Sequence, residues 1–237
     1  YPNIVPVYDM GRTENGSVYV VSRFIEGATL ETIIREGRPS HRDAAILLTT
    51  VAMALHHAHE RRLIHRDVKP ANILIEGATG VPFVADFGLA IREEESLAES
   101  VLAGTPAYMS PEQVRCESHR LDRRSDVFAL GVIMYELLTG KRPFGGSSIQ
   151  KTLRPVINDI PQPLRQWDSK ISPELERVCL KALSKRASER YSTAALMAND
   201  LEAWIKSKDH LISGGHGKQI TPRGLRSFTA EDAEFFL

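Results

Sequence analysis

Within His65-Arg66-Asp67-Val68-Lys69-Pro70-Ala71-Asn72 an acid, a lysine and an amide stand at fixed offsets, and Asp86-Phe87-Gly88 begins fourteen residues after Asn72. Side chains of these types suit transfer of a phosphoryl group from a magnesium nucleotide to a hydroxyl. Asp67 can orient the hydroxyl and receive its proton late in the transfer. Asn72 and Asp86 offer oxygen atoms, which hard cations such as Mg2+ prefer. Lys69 sets a positive charge against the group being transferred.

A loop acid is useful only if the chain on both sides holds it still. Upstream, Ser40-His41-Arg42-Asp43 reads as a capping box, and Ala44, Leu48, Val51, Leu55 and Ala58 follow at four-three spacing. That pattern predicts a long amphipathic helix delivering the chain to His65. On it, His56, His57 and His59 have no carboxylate or cysteine at ligand spacing, so they read as surface or packed histidines rather than metal ligands. Downstream, the apolar runs 72–75 and 81–84, separated by Gly77 and Gly80, suit a hairpin. A helix is expected from about Asp126 to the cap at Gly140, with another opening at Ser172-Pro173-Glu174. Ala194, Met197, Leu201 and Trp204 form the stripe of a last helix, and Val18–Val21 reads as a strand behind the hairpin signal Asn15-Gly16.

The chain of 237 residues is 42% hydrophobic, 25% charged and formally neutral, the profile of an ordinary globular domain with ample length for a core. Zero net charge gives no case for nucleic acid or an anionic membrane as partner. The cysteines, Cys116 and Cys179, are too few for a disulfide framework and suit a reducing compartment. No apolar run reaches the length of a membrane span, and the expectation is a cytoplasmic location.

Beyond the two catalytic stretches, three further segments carry a resemblance. These are Gly104-Thr105-Pro106-Ala107-Tyr108-Met109-Ser110-Pro111-Glu112, Ser125-Asp126-Val127-Phe128-Ala129-Leu130-Gly131 and Ser188-Glu189-Arg190-Tyr191. Together the motifs resemble those of the eukaryotic-type, bacterial-like serine/threonine protein kinases over about residues 1–206, with Ser110 where that family usually has Ala. The resemblance implies an α+β, protein kinase-like fold, mostly the helical C-lobe with the last strands of the N-lobe and the hinge. It implies ATP and Mg2+ as cofactors and protein substrates phosphorylated on Ser or Thr.

By the same resemblance, backbone groups of Arg23 and Ile25 bond adenine, Ser22 is the gatekeeper and Leu74 lies under the base. Asp86 bridges metal to the β and γ phosphates, Asn72 holds the second ion, Lys69 contacts the γ-phosphate, and the Thr105 hydroxyl bonds Asp67 and Lys69. His65 and Phe87 stack in a hydrophobic spine with Val7, Asp126 accepts N–H bonds near His65 and Arg66, and Glu112 pairs with Arg190. Ala71 replaces an acid found in many arginine-directed members, which argues against a strong arginine preference. Arg66 implies activation by a phosphate on Ser96 or Ser100.

The expected organisation is an N-terminally truncated kinase domain over 1–206, a Gly-rich linker over 207–221, and the start of a second domain or a docking tail over 222–237. The segment Arg223–Phe236 resembles the lead into STAND-type P-loop NTPase regions. A homodimer of the full-length protein is the oligomer the family suggests. Two other functions stay open: a pseudokinase serving as a binding module, and a small-molecule phosphotransferase.

Overall fold

The computed structural model describes residues 1–87, 106–117, 120–145 and 149–213. Gly88, Ser96, Ser100, Gly104, Thr105 and residues 214–237, on which several expectations fall, lie outside them. The chain divides into two units, Tyr1–Ile205 and Lys206–Leu237.

The first unit begins with an antiparallel ribbon, β1 (Val7–Arg12) and β2 (Val18–Ser22), turning through Gly16 at φ 83° as the Asn-Gly signal predicts. Neither face of the ribbon is covered: Val7, Tyr8, Met10, Val20 and Val21 are all exposed. A second, antiparallel sheet has the order β3 (Gly27–Thr29), β4 (Ile73–Glu76) and β5 (Pro82–Val84). The expected hairpin is β4 with β5, in the register Ile73↔Val84, Leu74↔Phe83. The N-terminal segment is tied to its edge, with Val5 N–H donating to the Val84 carbonyl at 2.9 Å.

The helices supply the core. After α1 (Leu30–Glu36) comes α2 (His41–His59), whose N-cap Ser40 accepts from Asp43 N–H at 3.1 Å. The predicted box closes differently on its return side: Asp43 Oδ2 takes the Ser40 hydroxyl, at 2.6 Å. All five residues of the predicted stripe, Ala44 to Ala58, are buried. The short α3 (Pro111–Val114) precedes α4 (Arg123–Thr139), the central element. From Ser125 to Tyr135 every residue of α4 is buried, the signature of a helix enclosed on all sides. It starts earlier than Asp126 because Asp122 caps it, accepting from Arg124 N–H at 2.8 Å. It ends at Gly140 as predicted, in the left-handed conformation at φ 73°.

Then follow α5 (Ile149–Asn158), α6 (Pro173–Ala182), capped by Ser172 as predicted, and α7 (Ala194–Ser213). The stripe Ala194, Met197, Leu201 and Trp204 is buried. Nothing in Ser207–Ser213 is a Gly or Pro, and α7 runs through this stretch, where the sequence suggested that a linker begins. Among the described residues no helix is long and apolar enough to cross a membrane.

Gly131 sets the distance between α4 and α6. A Cβ added there meets the Ala182 Cβ at 2.9 Å and two Leu183 side-chain atoms at 3.1 and 3.2 Å. Gly131→Ala gains about 1 kcal/mol of helix propensity, against about 1–3 kcal/mol of overpacking between two helices that cannot easily part. Urea denaturation should show a net loss of stability; a stabilised variant would contradict this contact.

Candidate active site

The loop from His65 to Asn72 hangs from one carboxylate. Asp126, buried in the first turn of α4, accepts at Oδ2 from His65 N–H (2.9 Å) and at Oδ1 from Arg66 N–H (2.9 Å). Its Oδ2 also meets His59 Nε2 at 2.7 Å. Arg66 sits at φ 64°, a conformation a non-glycine residue holds only when its surroundings enforce it. The expected Asp126 bonds are therefore present. His59, read from sequence only as a surface or packed histidine, is a further member of the clamp. Its ring is buried, and its Nδ1 has no partner among the described residues.

Beyond the clamp, the reactive side chains converge. Lys69 Nζ donates to Asp67 Oδ2 at 2.7 Å. Asn72 Nδ2 donates both to the Asp67 carbonyl (2.8 Å) and to Asp67 Oδ2 (3.1 Å). Two donors thus fix one carboxylate oxygen, leaving Asp67 Oδ1 and Asn72 Oδ1 without a hydrogen bond among the described residues. Ala85 N–H donates to the Asn72 carbonyl at 2.9 Å, which sets Asp86 beside the Asn72 turn. Asp86 itself is exposed and held at φ 59°.

The His65 ring organises the next layer. Its Nε2 lies 2.8 Å from the Ala85 carbonyl, so that nitrogen carries the proton, and Nδ1 accepts from Asp67 N–H at 3.3 Å. The ring packs against Phe87 with centroids 4.6 Å apart, the predicted stack. Val7, the expected third member, is instead 57% exposed on β1, which among the described residues pairs with β2 alone and has no covering element.

At the other end of the cleft, Ile25, Val5 and Phe83 form a small apolar cluster against which Leu74 packs. Arg23 N–H is taken by the Pro6 carbonyl at 3.0 Å, so of the Arg23 backbone groups the carbonyl is the one left to meet a base, beside the Ile25 amide. The Arg23 side chain turns away, to Glu76 at 3.1 Å. Ser22 closes β2 beside them.

Two contacts brace the segment that follows residue 105. Ser110, placed where an alanine was expected, caps α3 in a capping box with Gln113. Gln113 Nε2 then donates to the Arg66 carbonyl at 2.6 Å, joining this segment to the catalytic loop. The Ser-x-x-Gln spacing signalled the cap; nothing in it signalled the second bond. Below, the buried Arg190 makes the expected fork with Glu112, at 2.7 and 2.9 Å, and Ser125 Oγ adds a third donor at 2.7 Å. Arg190 spends its remaining hydrogen-bonding capacity on the Ser184, Arg124 and Lys185 carbonyls.

The donor set fits a magnesium nucleotide. Asn72 Oδ1 is left available because Nδ2 is committed to Asp67, and Asp86 is an exposed carboxylate beside it. Among the described residues no group of three or more His, Cys, Asp or Glu could hold a metal. Mg2+ takes one or two protein oxygens and completes its shell with phosphates and water.

Burial pushes the Glu112 carboxyl up, but the hydrogen bonds and charge of Arg190, with the Ser125 hydroxyl, overcome this and bring it down to about 2. Its folded pKa is thus below its ordinary value near 4.5, so the stabilisation is full above that value and is lost as pH falls toward 2. Arg190→Leu leaves a buried carboxylate unpaired and should cost about 3–5 kcal/mol in denaturant unfolding at neutral pH. The deficit should shrink as the solution is acidified through that window. A loss below about 1 kcal/mol, of the size seen for exposed pairs, would contradict the brace.

The family model of the protein kinase domain matches residues 1–201. Serine/threonine-protein kinase PknB of Mycobacterium leprae is 41% identical over 208 residues, covering 85% of this chain and 33% of that protein. PknB of Mycolicibacterium smegmatis is 41% identical over 210 residues, with the same coverage. Serine/threonine-protein kinase PrkC of Bacillus subtilis is 37% identical over 212 residues, covering 87% of this chain and 31% of that protein. The chain spans about a third of the length of these curated relatives. With a family match over residues 1–201, this chain belongs to the protein kinase domain family.

Proposed function

We propose that the chain carries the substrate-lobe half of an ATP-dependent protein kinase that phosphorylates serine and threonine hydroxyls. The observation that carries this reading is Asp67, fixed at one oxygen by Lys69 and Asn72 and without a hydrogen bond at the other among the described residues. Bound together, ATP and Mg2+ supply the phosphoryl group and neutralise its developing charge. Asp67 orients the incoming hydroxyl and accepts its proton as the new oxygen–phosphorus bond forms. Lys69 is poised between Asp67 and the transferred group, and Asn72 Oδ1 with Asp86 holds the metal. The Arg23 carbonyl and Ile25 amide orient the base over Leu74. Thr105 extends this arrangement as a hydroxyl partner for Asp67 and Lys69, in the manner of serine/threonine-directed members.

The uncovered β1–β2 ribbon fits continued pairing with further small-lobe strands, since a lone hairpin is marginal in water. In the same reading residues 222–237 open a second domain of the STAND NTPase kind, as the resemblance of Arg223–Phe236 suggests. An intact acid and both metal-ligand positions favour an enzyme over a pseudokinase.

Asp67→Asn in the full-length gene product should lower phosphotransfer to a Ser/Thr peptide by about 10²–10⁴-fold. ATP affinity should be little changed, because the groups that meet base and metal are untouched. Radiolabel transfer within about tenfold of wild type, the loss expected of a contact worth under 1.4 kcal/mol, would refute the assigned role.

A further inference from the structure

The end of α2, the start of α4 and the turn before α7 line an open surface cleft of about 430 Å³. Its walls carry three guanidinium groups, Arg62, Arg123 and Arg124, against the single carboxylate of Asp122. That carboxylate is already spent. It caps α4 and is gripped by Arg124 at 2.9 and 2.6 Å, which holds it below the usual carboxylate range despite burial that pushes it up.

The other two arginines have donors to spare. Arg123 uses only Nε, bonded to the Ser192 carbonyl at 2.7 Å, which fixes the group while leaving its terminal nitrogens without a partner among the described residues. The Arg62 side chain has no hydrogen bond or ion pair among the described residues, and its backbone sits at φ 61°. There it closes α2, with Arg62 N–H on the His59 carbonyl and Leu63 N–H on the Ala58 carbonyl. Glycine is the residue that such a left-handed closing position favours. An arginine here therefore has to be explained by what its side chain reaches, and it reaches the same cleft as Arg123.

We propose that this cleft binds a phosphate monoester, specifically the phosphorylated side chain of a serine or threonine in a polypeptide. Planar guanidinium forks match phosphate oxygens. The cleft is open to solvent, which leaves room for the ester carbon and flanking backbone of such a side chain. Its inner wall is His59, whose Nε2 holds Asp126, so an occupant lies one side chain away from the carboxylate that positions the catalytic loop. The proposal does not rest on the transfer reaction itself, since binding is read without nucleotide.

The test is calorimetric titration of the chain at low ionic strength with N-acetyl-phosphoserine amide, with N-acetyl-serine amide and with inorganic phosphate. The phosphoserine probe should bind about tenfold more tightly than inorganic phosphate, and the unphosphorylated probe should not bind detectably. Arg62→Gln with Arg123→Gln should weaken the phosphoserine probe by about tenfold or more. The single Arg62→Gln change, at an exposed position outside any helix, should weaken it severalfold without touching the fold. Lys69→Met, in the catalytic loop, should leave it unchanged. Unaltered affinity in the arginine variants, or loss in Lys69→Met instead, would overturn the cleft as the site. Equal affinity for inorganic phosphate would overturn its assignment to a phosphorylated side chain.

Discussion

The buried carboxylate of Asp126 is the constraint on which the rest of this structure depends. A carboxylate with no access to water is expensive unless its oxygens are saturated with donors. Here two backbone amides of the catalytic loop and one imidazole supply them. The arrangement works in both directions. Asp126 needs the loop to be satisfied, and the loop needs Asp126 to keep Arg66 at a positive φ. Because α4 is buried from Ser125 to Tyr135, the carboxylate is fixed to the least deformable element of the molecule. The geometry of Asp67, Lys69 and Asn72 inherits that rigidity.

The same helix anchors the second support. Ser125, one residue before Asp126, donates to Glu112, and Glu112 forks with Arg190. Adjacent residues of one buried helix turn therefore hold the loop from His65 to Asn72 on one side and α3 on the other. Gln113 closes the triangle by bonding the Arg66 carbonyl directly. No member of this set acts alone: each satisfies a buried polar group that would otherwise be orphaned, which is how a polar network can be both costly and specific.

Much of this was legible in the sequence, and the reason differs from residue to residue. Asp67, Lys69, Asn72 and Asp86 stand out in the sequence as candidates because the proposed chemistry demands their side-chain types at close spacing. The stripe of α2 and the Gly140 cap could be found because helix periodicity and left-handed backbone restrict what residues fit. His59 could not be assigned its partner, because a histidine on a helix does not announce an acid 67 positions away. The early start of α4 rests on Asp122, an N-cap set apart from the apolar run by Arg123 and Arg124, so the hydrophobic pattern does not mark it. The role proposed for Arg23 and Ile25 uses backbone atoms, so residue type carries little information, and only the structure shows that the Arg23 amide is already taken by Pro6. Val7 was assigned a contact that depends on what covers β1, a matter of tertiary packing rather than of local pattern.

The central claim is that the loop amides of His65 and Arg66 are held by a buried acid. Amide hydrogen exchange of the chain, resolved at these two residues, tests it most directly. The account predicts that both exchange only through large-scale opening, with protection comparable to amides in the middle of α4. Exchange at the rate of an exposed loop amide, while α4 remains protected, would contradict it.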